Sequence, residues 1–237
     1  MTPVNKHQDT MLTLKSYCWL CHLPLALPAT GICSSCQRRL PRLPALCLRC
    51  GLPVATDSAE CGRCLQKPPP WQHLVCAGDY QPPLSRLLHK FKFSGYTALS
   101  VMLARLILLS WIKQHREHGL HKPDILLCSP LHKQRLRQRG FNQSALLAQP
   151  LAHWLGCEFD SEALRRTRKT AVQHQLNISQ RKQNLHNAFC IEKQLAGLHV
   201  ALVDDVVTSG STAGEISRLL AQSAVADIQV WCLCRTL

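Results

Sequence analysis

The sequence predicts an α/β protein: a largely parallel sheet covered by helices on both faces, preceded by a small module that metal ions hold together. Three observations carry this. Strand-like and helix-like segments alternate from about Val75 onward, and four Cys-x-x-Cys pairs crowd the region before it. The stretch Leu202–Thr212, LVDDVVTSGST, runs from an apolar strand through two acids into a loop of glycine and hydroxylated residues. Strands separated by helices pair in parallel, because a parallel neighbour needs a crossover long enough to hold a helix.

The cysteine pairs are Cys18/Cys21, Cys33/Cys36, Cys47/Cys50 and Cys61/Cys64. Each pair lets two thiolates reach one ion from a tight turn, and two pairs complete a tetrahedral four-cysteine zinc site. Eight cysteines divide into two such sites. Pairing in sequence order is favoured over a cross-braced arrangement, though spacing alone leaves both open. Disulfides or redox-active pairs are the alternative reading. A segment this short cannot bury a core of its own, so metal binding supplies its folding free energy, about 10–16 kcal/mol per site. No coordination position is left open, so the zinc is structural. Cys76, Cys128, Cys157, Cys190, Cys232 and Cys234 fall outside the pattern and are mostly core residues of apolar strands.

The 14 cysteines also bear on compartment. The apolar stretch CHLPLALPA, residues 21–29, is short and broken by prolines, unlike a secretory signal. The run Ala98–Ile112 contains Arg105 and is too short to span a bilayer. A reducing cytoplasm and metal-bound thiols are therefore expected, with no membrane span. Met11 is an alternative start to Met1.

Along the chain, residues 1–17 form a polar tail, 18–65 the double zinc ribbon, 66–74 a proline-rich linker around QKPPPW, and 75–237 the α/β domain. Pro83–Phe93 and Thr97–His118 have helical spacing. Asp124–Pro130, DILLCSP, is a buried strand ended by proline. Asn142–Leu155 is a helix capped by Asn142 and kinked at Pro150. Residues 165–187 are polar and aperiodic, a long loop with some helix. His199–Asp205 is a strand, Thr212–Gln222 a helix and Ile228–Leu237 a final strand.

Net charge is +14, with 28 Lys and Arg against 14 Asp and Glu. The excess favours polyanionic partners. It concentrates between Ile125 and Cys157, which holds no acid but carries Lys133, Arg135, Arg137 and Arg139. The run is either a solvated basic face or a phosphate contact surface. No aromatic residue interleaves with it, which weakens a stacking platform for single strands.

A Gly/Ser/Thr loop entering a helix binds phosphate because free backbone N–H groups converge there and the helix dipole favours an anion. Gly210 permits the torsions, and Thr208, Ser209, Ser211 and Thr212 add hydroxyls. Asp204 and Asp205 would repel phosphate if they faced it. They fit if they accept hydrogen bonds from sugar hydroxyls or hold Mg²⁺. Ribose bearing a 5′-phosphate satisfies both halves.

LVDDVVTSGST resembles the signature of the type I phosphoribosyltransferases, which bind phosphoribosyl pyrophosphate (PRPP). CSPLHKQRLRQRGFNQSALLA (128–148), RRTRKTAVQHQLNISQRKQNLHNAF (165–189) and the four cysteine pairs are similar to segments of the ComF/GntX family, and the likeness covers nearly the whole chain from Cys18. The resemblance implies a type I phosphoribosyltransferase fold after a double zinc ribbon, PRPP or a ribonucleotide as ligand with Mg²⁺, and a role in DNA uptake or in using extracellular DNA as a nutrient. It implies that Asp204 and Asp205 contact ribose and that Thr208, Ser209, Gly210, Ser211 and Thr212 hold the 5′-phosphate. Ser129 and Pro130 would face pyrophosphate, with Arg137, Arg139 and Gly140 just beyond. Arg181, in a flexible loop, would reach the ligand. Lys92 occupies a recurrent lysine position of unassigned role. No hood for an acceptor base is recognisable. Two alternatives stay open: an active Mg²⁺-dependent phosphoribosyltransferase in base salvage, and a scaffold binding single-stranded DNA or DNA-processing proteins with a relict site.

Overall fold

The computed structural model describes residues 16–27, 31–41, 43–55, 58–167 and 188–236. They fall into two compact units, Met1–Arg39 and Leu40–Leu237.

In the first unit an antiparallel bridge between Tyr17 and Pro24 closes the loop bearing Cys18 and Cys21. A short helix, α1 (Ser34–Arg38), follows Cys33. The second unit begins with the same design. A Leu46–Pro53 bridge closes the Cys47/Cys50 loop, and α2 (Gly62–Gln66) follows Cys61.

The sheet contains β1 (His73–Asp79), β2 (Ile125–Cys128), β3 (Glu158–Asp160), β6 (His199–Val207) and β7 (Asp227–Arg235), in the order β1-β7-β6-β2-β3. All four pairings are parallel. A two-stranded antiparallel ribbon, β4 (Leu164–Arg166) with β5 (Phe189–Ile191), lies outside it. The parallel sheet with flanking helices agrees with the sequence reading.

Between β1 and β2 run α3 (Leu84–Phe93) and α4 (Leu99–His118). Between β2 and β3 run α5 (Lys133–Arg139) and α6 (Gln143–Leu155). The helix α7 (Ser211–Gln222) joins β6 to β7. The segment with helical spacing from Thr97 forms α4, whose Leu99, Met102, Leu103, Ile107 and Trp111 are buried. Trp111 meets Trp231 of β7 at 5.6 Å between ring centroids. A further core cluster gathers Leu127, Leu202, Val230 and Cys232 of the sheet with Ile216 and Leu220 of α7 and Phe189 of β5. Trp71, at the end of the proline-rich stretch, belongs to this core. The sequence marks 133–139 only as a basic run; it folds as a helix, its first turn capped by His132 Nδ1, which accepts from Gln134 N at 3.2 Å. As expected, Asn142 caps α6, its Oδ1 accepting from Ser144 N at 3.0 Å, and the helix continues through Pro150.

Among the described residues, no helix is long and apolar enough to cross a membrane. The connection β2–β3 runs one way from the centre of the sheet and β6–β7 the other. Ligands of open parallel sheets bind where the connections diverge, outside the carboxyl ends of the strands. Here that crevice is framed by the ends of β2 and β6.

Candidate functional site

The end of β6 carries the two acids, and their neighbours come from three other elements. Asp205 is 5% exposed. Lys92 of α3 brings its Nζ to 2.7 Å from Asp205 Oδ2. Asp204 is partly buried, and its Oδ1 accepts from Ser144 Oγ of α6 at 3.2 Å and from Asp205 N at 2.8 Å. Burial first, and the adjacent Asp205 charge second, push the Asp204 carboxyl up to about 7. The site thus holds one carboxylate paired with a cation and one that takes up a proton near neutrality.

Asn142 also anchors the crevice. Beyond capping α6, its Nδ2 donates to Ser129 O at 3.1 Å, while Ser129 N donates to Val203 O at 2.9 Å. Ser129, just past β2 and followed by the half-buried Pro130, is thereby fixed against the end of β6. Arg139, the last residue of α5, lies over the Phe93 ring, with Cζ 5.2 Å from its centroid. Burial lowers the Arg139 pKa, and the Asp205 charge opposes that shift. Arg137 and Gly140 are exposed. Of the basic run, then, Arg139 lies against Phe93 and Arg137 faces solvent. Arg181 lies outside the described residues.

The loop after β6 is built as a turn into α7. Gly210 precedes the helix with φ +72°, left-handed torsions that glycine alone adopts readily. A Cβ there would also sit 3.1 Å from Trp71 Cη2. Ser209 Oγ and Ser211 Oγ are 2.8 Å apart, Thr208 is exposed, and Ser211 and Thr212 open the helix. Thr208, Ser209, Ser211 and Thr212 therefore surround the N-terminus of a 12-residue helix, the arrangement that draws an anion.

The eight paired cysteines form two tetrads, Cys18/Cys21/Cys33/Cys36 and Cys47/Cys50/Cys61/Cys64, with the sulfurs of each within 4.8 Å of one another. Grouping thus follows sequence order. Cys21 and Cys33 sulfurs are 3.8 Å apart, and those of Cys50 and Cys61 are 3.6 Å apart. These spacings are far too long for a disulfide and match the edge of a zinc tetrahedron, about 3.8 Å for Zn–S bonds of about 2.3 Å. The repeated local bonds serve the same end: Cys33 N donates to Cys18 Sγ at 3.4 Å, and Cys61 N to Cys47 Sγ at 3.3 Å. Burial opposes ionisation of Cys18, yet N–H groups of Cys21, Cys33 and Leu20 bring it down to about 6. Burial likewise opposes ionisation at Cys61, where the Cys64 N–H and the neighbouring thiols bring it to about 7. The residues fit zinc. At the acids, Lys92 reaches Asp205 Oδ2 and Ser144 reaches Asp204 Oδ1.

Sequence alone leaves Lys92 without a role and gives no notice of Ser144 or of the second bond of Asn142. Their signals are faint: a lysine beside the apolar face of α3, and a serine just inside a capped helix.

Compared with protein-family models, the chain matches none. It is similar to the DNA utilization protein YhgH of Salmonella typhimurium, 54% identical over 227 residues, 96% of this chain and 100% of that protein. The protein of that name in Escherichia coli K12 is 53% identical with the same coverage. Competence protein F of Haemophilus influenzae is 38% identical over 221 residues, 92% of this chain and 96% of that protein. Among solved structures, a purine phosphoribosyltransferase from Pyrococcus horikoshii aligns at 17% identity over 56% of this chain and 72% of that chain, with a TM-score of 0.36.

Proposed function

The chain belongs to the family of DNA utilization protein YhgH and competence protein F, and from that premise we propose that it binds PRPP or a ribonucleotide and acts in the uptake of DNA or its use as a nutrient. One observation carries the ligand reading: Asp204 and Asp205 stand at the end of β6, directly before the Thr208–Thr212 loop, beside the crevice where the sheet connections diverge. The names of the relatives support the DNA role.

In this reading the loop takes the 5′-phosphate on backbone N–H groups and hydroxyls, and the acids accept from the ribose hydroxyls. Lys92 holds the Asp205 carboxyl in place, and Ser144 orients Asp204. Ser129 and Pro130 face the pyrophosphate, with Arg139 the nearer cation and Arg181 a further candidate. Mg²⁺ would arrive with the ligand's phosphates and neutralise charge on the departing pyrophosphate. The protein groups then orient the ribose and screen the oxygens around its anomeric carbon. Whether a base accepts the ribosyl group is tested by supplying PRPP, Mg²⁺ and single nucleobases. Pyrophosphate release dependent on one base makes the protein a transferase. Binding without release makes it a sensor or carrier.

A DNA contact is supported by the exposed side of α5, where Gln134, Arg137 and Gln138 face solvent in an acid-free stretch. Retarded migration of single-stranded DNA by the wild type, lost on reversing the Arg137 charge, tests it.

A further inference from the structure

Two side chains tie the Cys47–Cys64 tetrad to the Thr208–Thr212 loop, within one compact unit. Arg235, the last residue of β7, is 5% exposed. Its Nε donates to Cys50 O at 2.8 Å. Its Nη1 donates to Val207 O at 3.0 Å, to Thr236 O at 2.9 Å and to Thr208 O. A buried guanidinium is costly unless its donors are met. Here four main-chain carbonyls accept from its Nε and Nη1, so Arg235 fixes backbone: one carbonyl in the cysteine knuckle, two where β6 becomes the loop.

Trp71 makes the second tie. Its indole N–H donates to Arg49 O, inside the same knuckle, at 2.5 Å. Its six-membered ring lies 3.1 Å from where a Gly210 Cβ would be and 3.7 Å from where a Gly214 Cβ would be. The knuckle itself leaves no slack. Gly51 has φ +67°, and a Cβ on it would meet Leu74 Cδ2 at 2.7 Å and Arg235 Cγ at 3.4 Å. Leu74 N donates to Leu48 O at 2.7 Å. The knuckle is thus joined to β1, to the end of β7 and, through Arg235 and Trp71, to the loop.

We propose that Arg235 and Trp71 are positioning residues through which the metal-held Cys47–Cys64 tetrad sets the shape of the Thr208–Thr212 loop, so that zinc occupancy of that tetrad and anion affinity of the loop are linked. The second half rests on the phosphate reading above. Zinc would bind Cys47 and Cys50 on either side of Arg49, and the carbonyls of Arg49 and Cys50 hold the two side chains. Without it the knuckle is uncrosslinked, and the loop loses its fixed partners. Linkage is reciprocal, so a ligand that needs the ordered loop must raise the tetrad's affinity for zinc.

The test has two arms, both on the zinc-loaded full chain. The first is amide hydrogen exchange of Thr208–Gly214 in the wild type and in the variants Arg235→Gln, Trp71→Phe, Cys61→Ser and Cys33→Ser. Trp71→Phe keeps an aromatic ring and loses the indole N–H, so it remains informative if Arg235→Gln fails to fold. The first three variants should exchange about tenfold faster in this segment, with β2 and β6 still protected, while Cys33→Ser matches the wild type. Unchanged exchange in Trp71→Phe and Cys61→Ser, or equal acceleration in Cys33→Ser, overturns the brace. The second arm measures the zinc affinity of Cys33→Ser protein by equilibrium competition with a chromogenic chelator. Saturating ribose 5-phosphate should raise it about fivefold or more, and Trp71→Phe should abolish that effect. Zinc affinity indifferent to ribose 5-phosphate that calorimetry shows to be bound overturns the linkage. A wild type that binds no ribose 5-phosphate, yet whose loop exchange still depends on Trp71 and the tetrad, contradicts the phosphate reading and upholds the brace.

Discussion

Lys92 Nζ stands 2.7 Å from Asp205 Oδ2, and the two side chains are only 17% and 7% exposed. The pair explains how a carboxylate persists, nearly buried, beside a loop shaped for an anion: α3 supplies its countercharge from far away in the sequence. Removing one member of a buried pair leaves the other uncompensated. Lys92→Met should therefore cost about 3 kcal/mol in urea unfolding. Adding Asp205→Asn to that variant should recover part of the loss. Additive losses in the double variant would mean that the two side chains do not interact.

Asp204 sets a pH dependence with a definite sign. Its folded-state pKa, near 7, lies above the 3.8 of an ordinary aspartate. Between these values the native state binds the proton more tightly than the unfolded state does. Its contribution to stability therefore falls as pH rises from about 4 to 7. Asp204→Asn should flatten that fall, read as unfolding midpoints across the window. A slope identical to wild type would show that Asp204 titrates normally.

Much of the fold is legible because local physics dictates it. LVDDVVTSGST reads as strand, turn and helix from its apolar run and glycine, and β6 and α7 follow it closely. Asn142 announces α6 as a cap, and cysteine spacing announces the tetrads. What escapes depends on distant partners or lacks a period. β1 hides behind prolines. In α5 the residues are nearly all polar, so no apolar stripe marks it. Lys92 and Arg235 acquire their meaning only when the sheet brings Asp205, Cys50 and Thr208 to them. An arginine ending the apolar strand IQVWCLCR is the one available hint, since a charge so placed must find partners.

Metal content follows from the tetrads. Native mass spectrometry should find two zinc ions per chain, and Cys18→Ser should retain one. A zinc-free protein with the eight cysteines in disulfides would contradict the assignment.

Gly210→Ala combines left-handed strain with the approach to Trp71, 3.1 Å from the new Cβ to Cη2. The strain alone is about 1–2 kcal/mol. Phosphate affinity should fall by about tenfold or more, and the thermal unfolding midpoint by about 2–8 °C. Unaltered ribose 5-phosphate binding would remove the loop from the phosphate site.

Arg137 and Arg139 should separate functionally. Arg137→Glu should weaken single-stranded DNA binding and lessen its salt dependence by about 0.7 in log–log slope for each phosphate that is no longer neutralised. Arg139→Gln should impair PRPP binding more, because Arg139 packs over Phe93 of α3 and feels the Asp205 charge. Equal effects of both variants on both ligands would argue for a general basic surface.

Isothermal titration of the zinc-loaded protein with ribose 5-phosphate and 2-deoxyribose 5-phosphate tests the phosphoribosyl reading most directly. If Asp204 and Asp205 accept from ribose hydroxyls, the ribose ligand binds more tightly by about 1.5–3 kcal/mol, the worth of one charge-assisted hydrogen bond, and Asp205→Asn narrows the gap. Equal affinity for the two sugars, or no binding of either, would contradict it.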